Sequence, residues 1–150
     1  MTDPVYSESA PIPLRTGALT PDQISLIFAH LPFDVSFTDS NDEVQFYSEG
    51  ADRIFERTPD VIGRSVLRCH PPDSVLLVNK ILSDFRAGTR DSAEFWIQMK
   101  RGEPGSRFVH IRFFAVRDSS GRFQGTIEVV QDVTGIRKLE GERRLLDEAK

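Results

Sequence analysis

Apolar residues recur at helical spacing in two well-defined stretches and alternate with polar ones in five others. Ile24, Ile27, Phe28 and Leu31 share one face of a helix. Thr20 is a good N-cap for it, Pro21 suits its first turn, Gln23 completes a capping box, and Pro32 ends it. Two short β-prone runs, 33–38 and 44–47, flank the polar turn Asp39-Ser40-Asn41-Asp42 and predict a hairpin. Residues 48–74 change character: a short apolar helix around Ala51, Ile54 and Phe55, another from Thr58-Pro59, and tight turns between them. From Pro72 or Asp73 a longer helix carries Val75, Val78, Ile81, Leu82 and Phe85, with Gly88 where a C-cap belongs. Strand-like runs at 93–99, 108–117 and 126–133 follow, separated by Gly-containing turns, and predict an antiparallel meander. Thr134 then caps a last helix bearing Ile136, Leu139, Leu145 and Leu146, with Glu140–Arg144 and Arg143–Asp147 as opposite charges four apart.

Two strands, short helices, one long helix and three strands make a five-stranded antiparallel sheet with helices on one face, an α+β fold with room for a pocket between the layers. The predicted organisation is a disordered tail over 1–18, rich in Pro4, Pro11 and Pro13, then one domain over 19–134 with its N-terminal cap helix, then a C-terminal helix over 135–150. The stripe Ile136, Leu139, Arg143, Leu146 is too short and broken for a coiled coil by itself, so this helix is expected to pack on the outer sheet face.

Composition narrows the function classes. The 150 residues are 39% hydrophobic and 28% charged with net charge -4, and no basic run concentrates positive charge, which argues against nucleic-acid binding. No apolar stretch is long enough to span a bilayer and the polar start lacks signal-peptide order, so a cytoplasmic protein is expected. Cys69, the single cysteine, excludes an intramolecular disulfide and a multi-cysteine metal cage. No Gly-rich phosphate loop, two-histidine metal spacing or Gly-x-Ser-x-Gly nucleophile motif is present, and no enzyme is expected.

The order of elements resembles the PAS fold, as do Phe37-Thr38-Asp39, Ile62-Gly63-Arg64 and Gln131-Asp132-Val133-Thr134. Leu31-Pro32-Phe33-Asp34, Cys69-His70-Pro71-Pro72-Asp73-Ser74-Val75, Glu94-Phe95-Trp96-Ile97, Phe114-Ala115-Val116-Arg117-Asp118 and the run 139–146 further resemble one branch of PAS domains of unknown function, often fused to an iron-binding hemerythrin-like bundle. The likeness covers about residues 17–147, and the Cys-His-Pro-Pro motif is its most specific part. It implies a sensory module that holds heme, flavin, a small metabolite or nothing, dimerises through flanking helices and the sheet face, and hands its output to a partner signalling protein. The alternative is a ligand-free interaction module, its interior filled by Phe and Trp side chains.

Flavin photochemistry can be tested by position. Light-sensing members carry the reactive cysteine three residues after the glycine of a Gly-Arg pair; here that position is Val66, and Cys69 falls three residues late. Cys69 then reads as a small packing residue of the pocket wall. His70 is the sharpest candidate, either as an axial heme ligand or ligand contact, or as a ring that bonds a backbone carbonyl beside the stiff Pro71-Pro72 turn. His30 at a helix end and His110 on a strand make weaker cases. By likeness to flavin-binding members, Val109, Ile111, Phe113 and Ala115 should face the pocket, with Trp96 and Gln98 of the preceding strand and Glu128 and Val130 of the last. His110, Arg112, Phe114 and Val116 would lie outside. A buried Glu128 needs a partner or a ligand. The competing reading swaps the faces and pairs Glu128 with Arg112 in solvent.

Overall fold

A computed structural model describes residues 9–50 and 52–149. The first eight residues of the expected tail lie outside the described residues, and its remainder is not a loose tail. Ile12–Leu14 (β1) and Gly17–Leu19 (β2) pair as a small antiparallel hairpin of their own. Helix α1 spans Pro21–His30 with the expected capping box: the Gln23 amide donates to Thr20 Oγ1 at 3.0 Å, and the Thr20 amide donates to Gln23 Oε1 at 3.0 Å.

Five strands form the main sheet: β3 (Asp34–Asp39), β4 (Val44–Tyr47), β5 (Ser92–Met99), β6 (Arg107–Arg117) and β7 (Phe123–Asp132). All pairings are antiparallel and the spatial order is β4-β3-β7-β6-β5, so the first hairpin docks onto the last strand of the meander. β7 starts at Phe123, three residues earlier than the alternation suggests, with Gly125 in its ladder opposite Asp39 and Val116. The fold is thus PAS-like α+β with a five-stranded antiparallel sheet and two α-helices.

Helix α2 (Pro72–Ala87) lies across one face, opened by Pro72 and closed by Gly88, whose φ of 77° supplies the left-handed cap. Ile81, Leu82 and Phe85 are its buried face, and Phe85 is fully buried beside Ala93, with Phe113, Ala115 and Phe123 packed around it. Burial of such a phenylalanine contributes about 1.5–3 kcal/mol. Between β4 and α2 the short helix expected around Ile54 and Phe55 does not form. Single 3-10 turns occupy Pro59–Val61 and Val66–Cys69. This segment runs along the edge of β4: the Val44 amide donates to the Arg64 carbonyl, Gly63 to Val44 and Val66 to Asp42, at 2.7–2.9 Å. Those bonds cover the edge strand and swing Cys69 and His70 over the sheet.

The C-terminal helix predicted over 135–150 is not formed. Ile136–Lys138 and Leu145–Ala149 are 3-10 turns, Gly141 adopts φ 64° between them, and Leu139, Leu145 and Leu146 are exposed. With no face to bury its apolar stripe, the segment lacks the packing that stabilises most helices. Thr134 does not cap a helix either. Its Oγ1 accepts from the Phe108 amide at 2.8 Å and donates to Asp132, tying the end of β7 to the start of β6.

Candidate functional site

The cleft between α2, the 3-10 segment and the sheet is a concave site of about 770 Å³, opening past Leu77, Lys80 and Arg90. A small inner niche of about 40 Å³ continues from it toward β3 and β7. Both are walled by Arg57, Cys69, His70, Val78, Ile81, Phe113 and Glu128. The walls are mainly apolar, with Phe55, Phe95 and Ile111 in the cleft and Val44, Val66 and Leu82 in the niche.

The floor of the niche follows from strand register. Ser36 lies directly opposite Glu128, and Thr38 opposite Thr126, so two cross-strand polar pairs sit on the inner face of the two most central strands. Thr126 is 4% exposed and its Oγ1 has no hydrogen-bond partner. Such a group is costly to bury unmatched. Glu128 is reached by Arg57, Nη2 to Oε1 3.8 Å, an ion pair too long to be a hydrogen bond. Burial pushes the Glu128 carboxyl above its ordinary range, against the opposing pull of Arg57, His70 and Arg53.

Arg57 arrives there because Arg53 pins its loop. Arg53 donates from Nη1 to the Ser48 carbonyl at 2.5 Å and from Nε to the Phe55 carbonyl at 3.1 Å, and stacks over Tyr47 at 5.5 Å. The Ile54 amide donates to Asp34 Oδ2 at 2.8 Å, which ties the same loop to β3. His70 is oriented by the 3-10 turn before it: its Nδ1 lies 2.9 Å from the Val66 carbonyl. A carbonyl only accepts, so Nδ1 is the donor of this bond, and in the neutral ring Nε2 is the acceptor nitrogen. The backbone bond and the ligand role, rival readings of the sequence, are therefore compatible.

Of the residues singled out from the sequence, His70, Cys69, Ile111, Phe113 and Glu128 meet at this cleft. Cys69 is half-buried, its Sγ 3.9 Å from the Ser65 carbonyl. Val130 shares the inner face of β7 but sits deeper, 2% exposed beside Asp34 and Ile54, away from the cleft. Trp96 and Gln98 do not face the pocket. Trp96 pairs with His110 and Gln98 with Phe108, on the outer face, and Trp96 is 60% exposed. Phe95 takes the inward place, edge-on to Phe113 at 6.2 Å. The odd positions Ala93, Phe95, Ile97 and Met99 are the apolar set, so the parity implied by likeness to flavin-binding members does not hold for this strand. The swapped-face pairing of Glu128 with Arg112 also fails: Arg112 stands opposite Val129 on the outer face. There His110 Nε2 and Glu94 Oε2 lie 2.9 Å apart. His30 keeps to its helix end, Nδ1 to the Leu26 carbonyl at 2.7 Å.

Arg53, Arg57, Ser36, Thr38 and Thr126 are missing from the sequence reading. Thr126 was within reach, since it lies two positions before Glu128 on a strand. Among the described residues no group of three or more His, Cys, Asp or Glu could hold a metal ion, and no helix is long and apolar enough to cross a membrane. His70 could serve a metal only as one axial ligand of a prosthetic group.

Comparison with known proteins agrees with this geometry. A C-terminal domain from Streptococcus mutans, solved by crystallography, is 35% identical over 89% of this chain and 100% of its own length, with a TM-score of 0.80. The PAS domain from Bordetella pertussis BvgS shares the fold at 17% identity, covering 79% of this chain and 92% of that one, TM-score 0.56. A sensory box sensor histidine kinase from Vibrio cholerae does so at 15% identity, covering 74% and 89%, TM-score 0.50. No curated protein matches the sequence. The model of the PAS domain family matches residues 24–134, which takes in α1 from Ile24 onward, α2, all five strands of the main sheet and every wall of the cleft, and the chain belongs to the PAS domain family.

Proposed function

We propose that this PAS domain is a cytoplasmic sensory and signalling module that takes up a small, mostly apolar organic ligand between sheet and α2 and reports occupancy to a partner protein, without a catalytic step of its own. One observation carries the reading: a cleft of about 770 Å³ with apolar walls converges on a few polar groups, His70, Glu128 and Arg57. Sites for small molecules are built this way, at about 300–1,000 Å³. The occurrence of the fold in a sensor histidine kinase supports a signalling setting. Resemblance to the branch fused to hemerythrin-like bundles makes such a bundle the partner domain expected on the receiving side.

Heme is the competing occupant, favoured by the lone pair on His70 Nε2. Native mass spectrometry of the purified chain is expected to find a small organic mass, with no Soret band after hemin titration. A Soret band abolished by His70→Ala would assign heme instead. Absence of any bound mass and of any Soret band would overturn ligand binding and leave a ligand-free interaction module.

The outer sheet face is the proposed pairing surface for a second copy. Trp96 is 60% and Phe114 36% exposed there, with Arg112 Nε buried and unpartnered between the strands. Sedimentation velocity is expected to find a dimer that Trp96→Glu converts to monomer. A monomeric parent chain, or a dimer indifferent to the glutamate, would defeat this assignment.

A further inference from the structure

The niche says more about the ligand than the cleft does. Val66 and the α2 residues Val78, Ile81 and Leu82 give the sheet floor an apolar cover, and Arg57 and His70 are the polar groups of the opposite wall. Thr126 is 4% exposed, and its Oγ1 is unpartnered. No hydrogen bond reaches the Glu128 carboxylate among the described residues; its nearest cation, Arg57, stays at 3.8 Å. His70 lines the same space, and in its neutral ring, with Nδ1 donating to the Val66 carbonyl at 2.9 Å, Nε2 is the acceptor left for a ligand. Two of these three groups accept hydrogen bonds, and the third can do either.

We infer that the niche selects a neutral hydrogen-bond-donating head, a hydroxyl or N–H, on an otherwise apolar or aromatic ligand, with His70, Glu128 and Thr126 reading the head. This rests on the cleft being a ligand site. An ether or ester head cannot donate to His70 Nε2 or to Glu128 and leaves both unmatched. An anionic head meets the Glu128 carboxylate at close range. A cationic head meets Arg57, which lies against Glu128 and whose loop also carries Arg53. The adjacent Glu128 and Arg57 present no net charge to offset the desolvation of a charged head, while a neutral donor satisfies groups that are otherwise left without partners. The inner niche of about 40 Å³ takes the small head, and the larger cleft holds the body among Phe55, Phe95, Ile111 and Phe113.

Three probes with one body isolate the head: 4-hydroxybiphenyl, 4-methoxybiphenyl and biphenyl-4-carboxylate. Titration of the full chain, followed by amide NMR shifts, is expected to rank the phenol at least about tenfold tighter than the ether, one hydrogen-bonded group's worth. The carboxylate is expected to bind weakest. In Thr126→Val, which keeps the side-chain shape, and in His70→Phe, the preference for phenol over ether is expected to fall below about threefold. Near-equal binding of phenol and ether, or tightest binding by the carboxylate, would overturn the head-group inference while leaving the cleft a ligand site. Failure of all three probes to shift any cleft residue would overturn both.

Discussion

Gly125→Ala is expected to unfold most of the domain's stability margin, at a cost of about 3 kcal/mol or more. Gly125 is buried in the central strand β7, paired with Asp39 on one side and Val116 on the other. Its φ is 154°, and a Cβ there would run into the Thr38 carbonyl oxygen and come within 2.8 Å of two ring carbons of Phe37. The first obstacle is backbone of a paired strand and cannot rotate away. The second is a ring packed in the same layer. Both strain and overlap must then be relieved by opening the β3–β7 ladder, which carries Ser36, Thr38, Thr126 and Glu128. Urea unfolding checks this, with Gly135→Ala as control: nothing lies within 4 Å of its Cβ position and its φ is -71°. The control should fall within about 0.5 kcal/mol of the parent. A Gly125→Ala midpoint equal to that of the control would contradict the account.

Glu128→Gln should stabilise the ligand-free domain at neutral pH, by about 1–3 kcal/mol. The folded chain holds the Glu128 carboxyl above its ordinary range, chiefly through burial, despite Arg57, His70 and Arg53. A carboxyl raised on folding binds its proton more tightly in the folded state. The resulting stability is fully present below the unfolded value, about 4.3, and is lost as pH rises through the raised folded value. Glutamine mimics the protonated form at every pH. The difference in Tm between variant and parent should therefore be small near pH 4 and largest near pH 7. A variant less stable than the parent at pH 7 would mean that the 3.8 Å pair with Arg57 outweighs desolvation, and would refute the sign. The same substitution bears on ligand recognition, since the amide replaces one acceptor oxygen with a donor.

Glu128 is legible in the sequence as a pocket-facing carboxylate in need of a partner, whereas the close backbone approach at Gly125 is not. Alternation along β6 placed Val109, Ile111, Phe113 and Ala115 on one face, and register puts them inward, because β6 is paired on both sides and has one apolar set. β5 has the same clean alternation, yet likeness to flavin-binding members points Trp96 and Gln98 inward, the wrong parity for this strand. An aromatic on the outer face of an edge strand cannot be told from a core aromatic by residue type. The C-terminal stripe failed for a related reason: helical spacing between Ile136 and Leu146 is a local pattern, and a helix of that length needs a surface to pack against.

By itself the sequence determined the element order, the capping of α1 and α2, the hairpin turn at Asp39-Ser40-Asn41-Asp42 and the family, because caps, turns and periodicity act within a few residues. It also placed Cys69 and His70 at a tight turn before α2. Only the tertiary structure decided that β7 joins the first hairpin to the meander, and so sets Thr126 against Thr38 and Glu128 against Ser36. It alone brought Arg57 to Glu128, through a loop held by Arg53 and Asp34, and set both beside His70 at the niche. The Arg53 bond to Ser48 is local, but Asp34–Ile54, Arg57–Glu128 and the strand pairs join residues distant in sequence, whose meeting depends on strand register and loop anchoring, which no local pattern encodes.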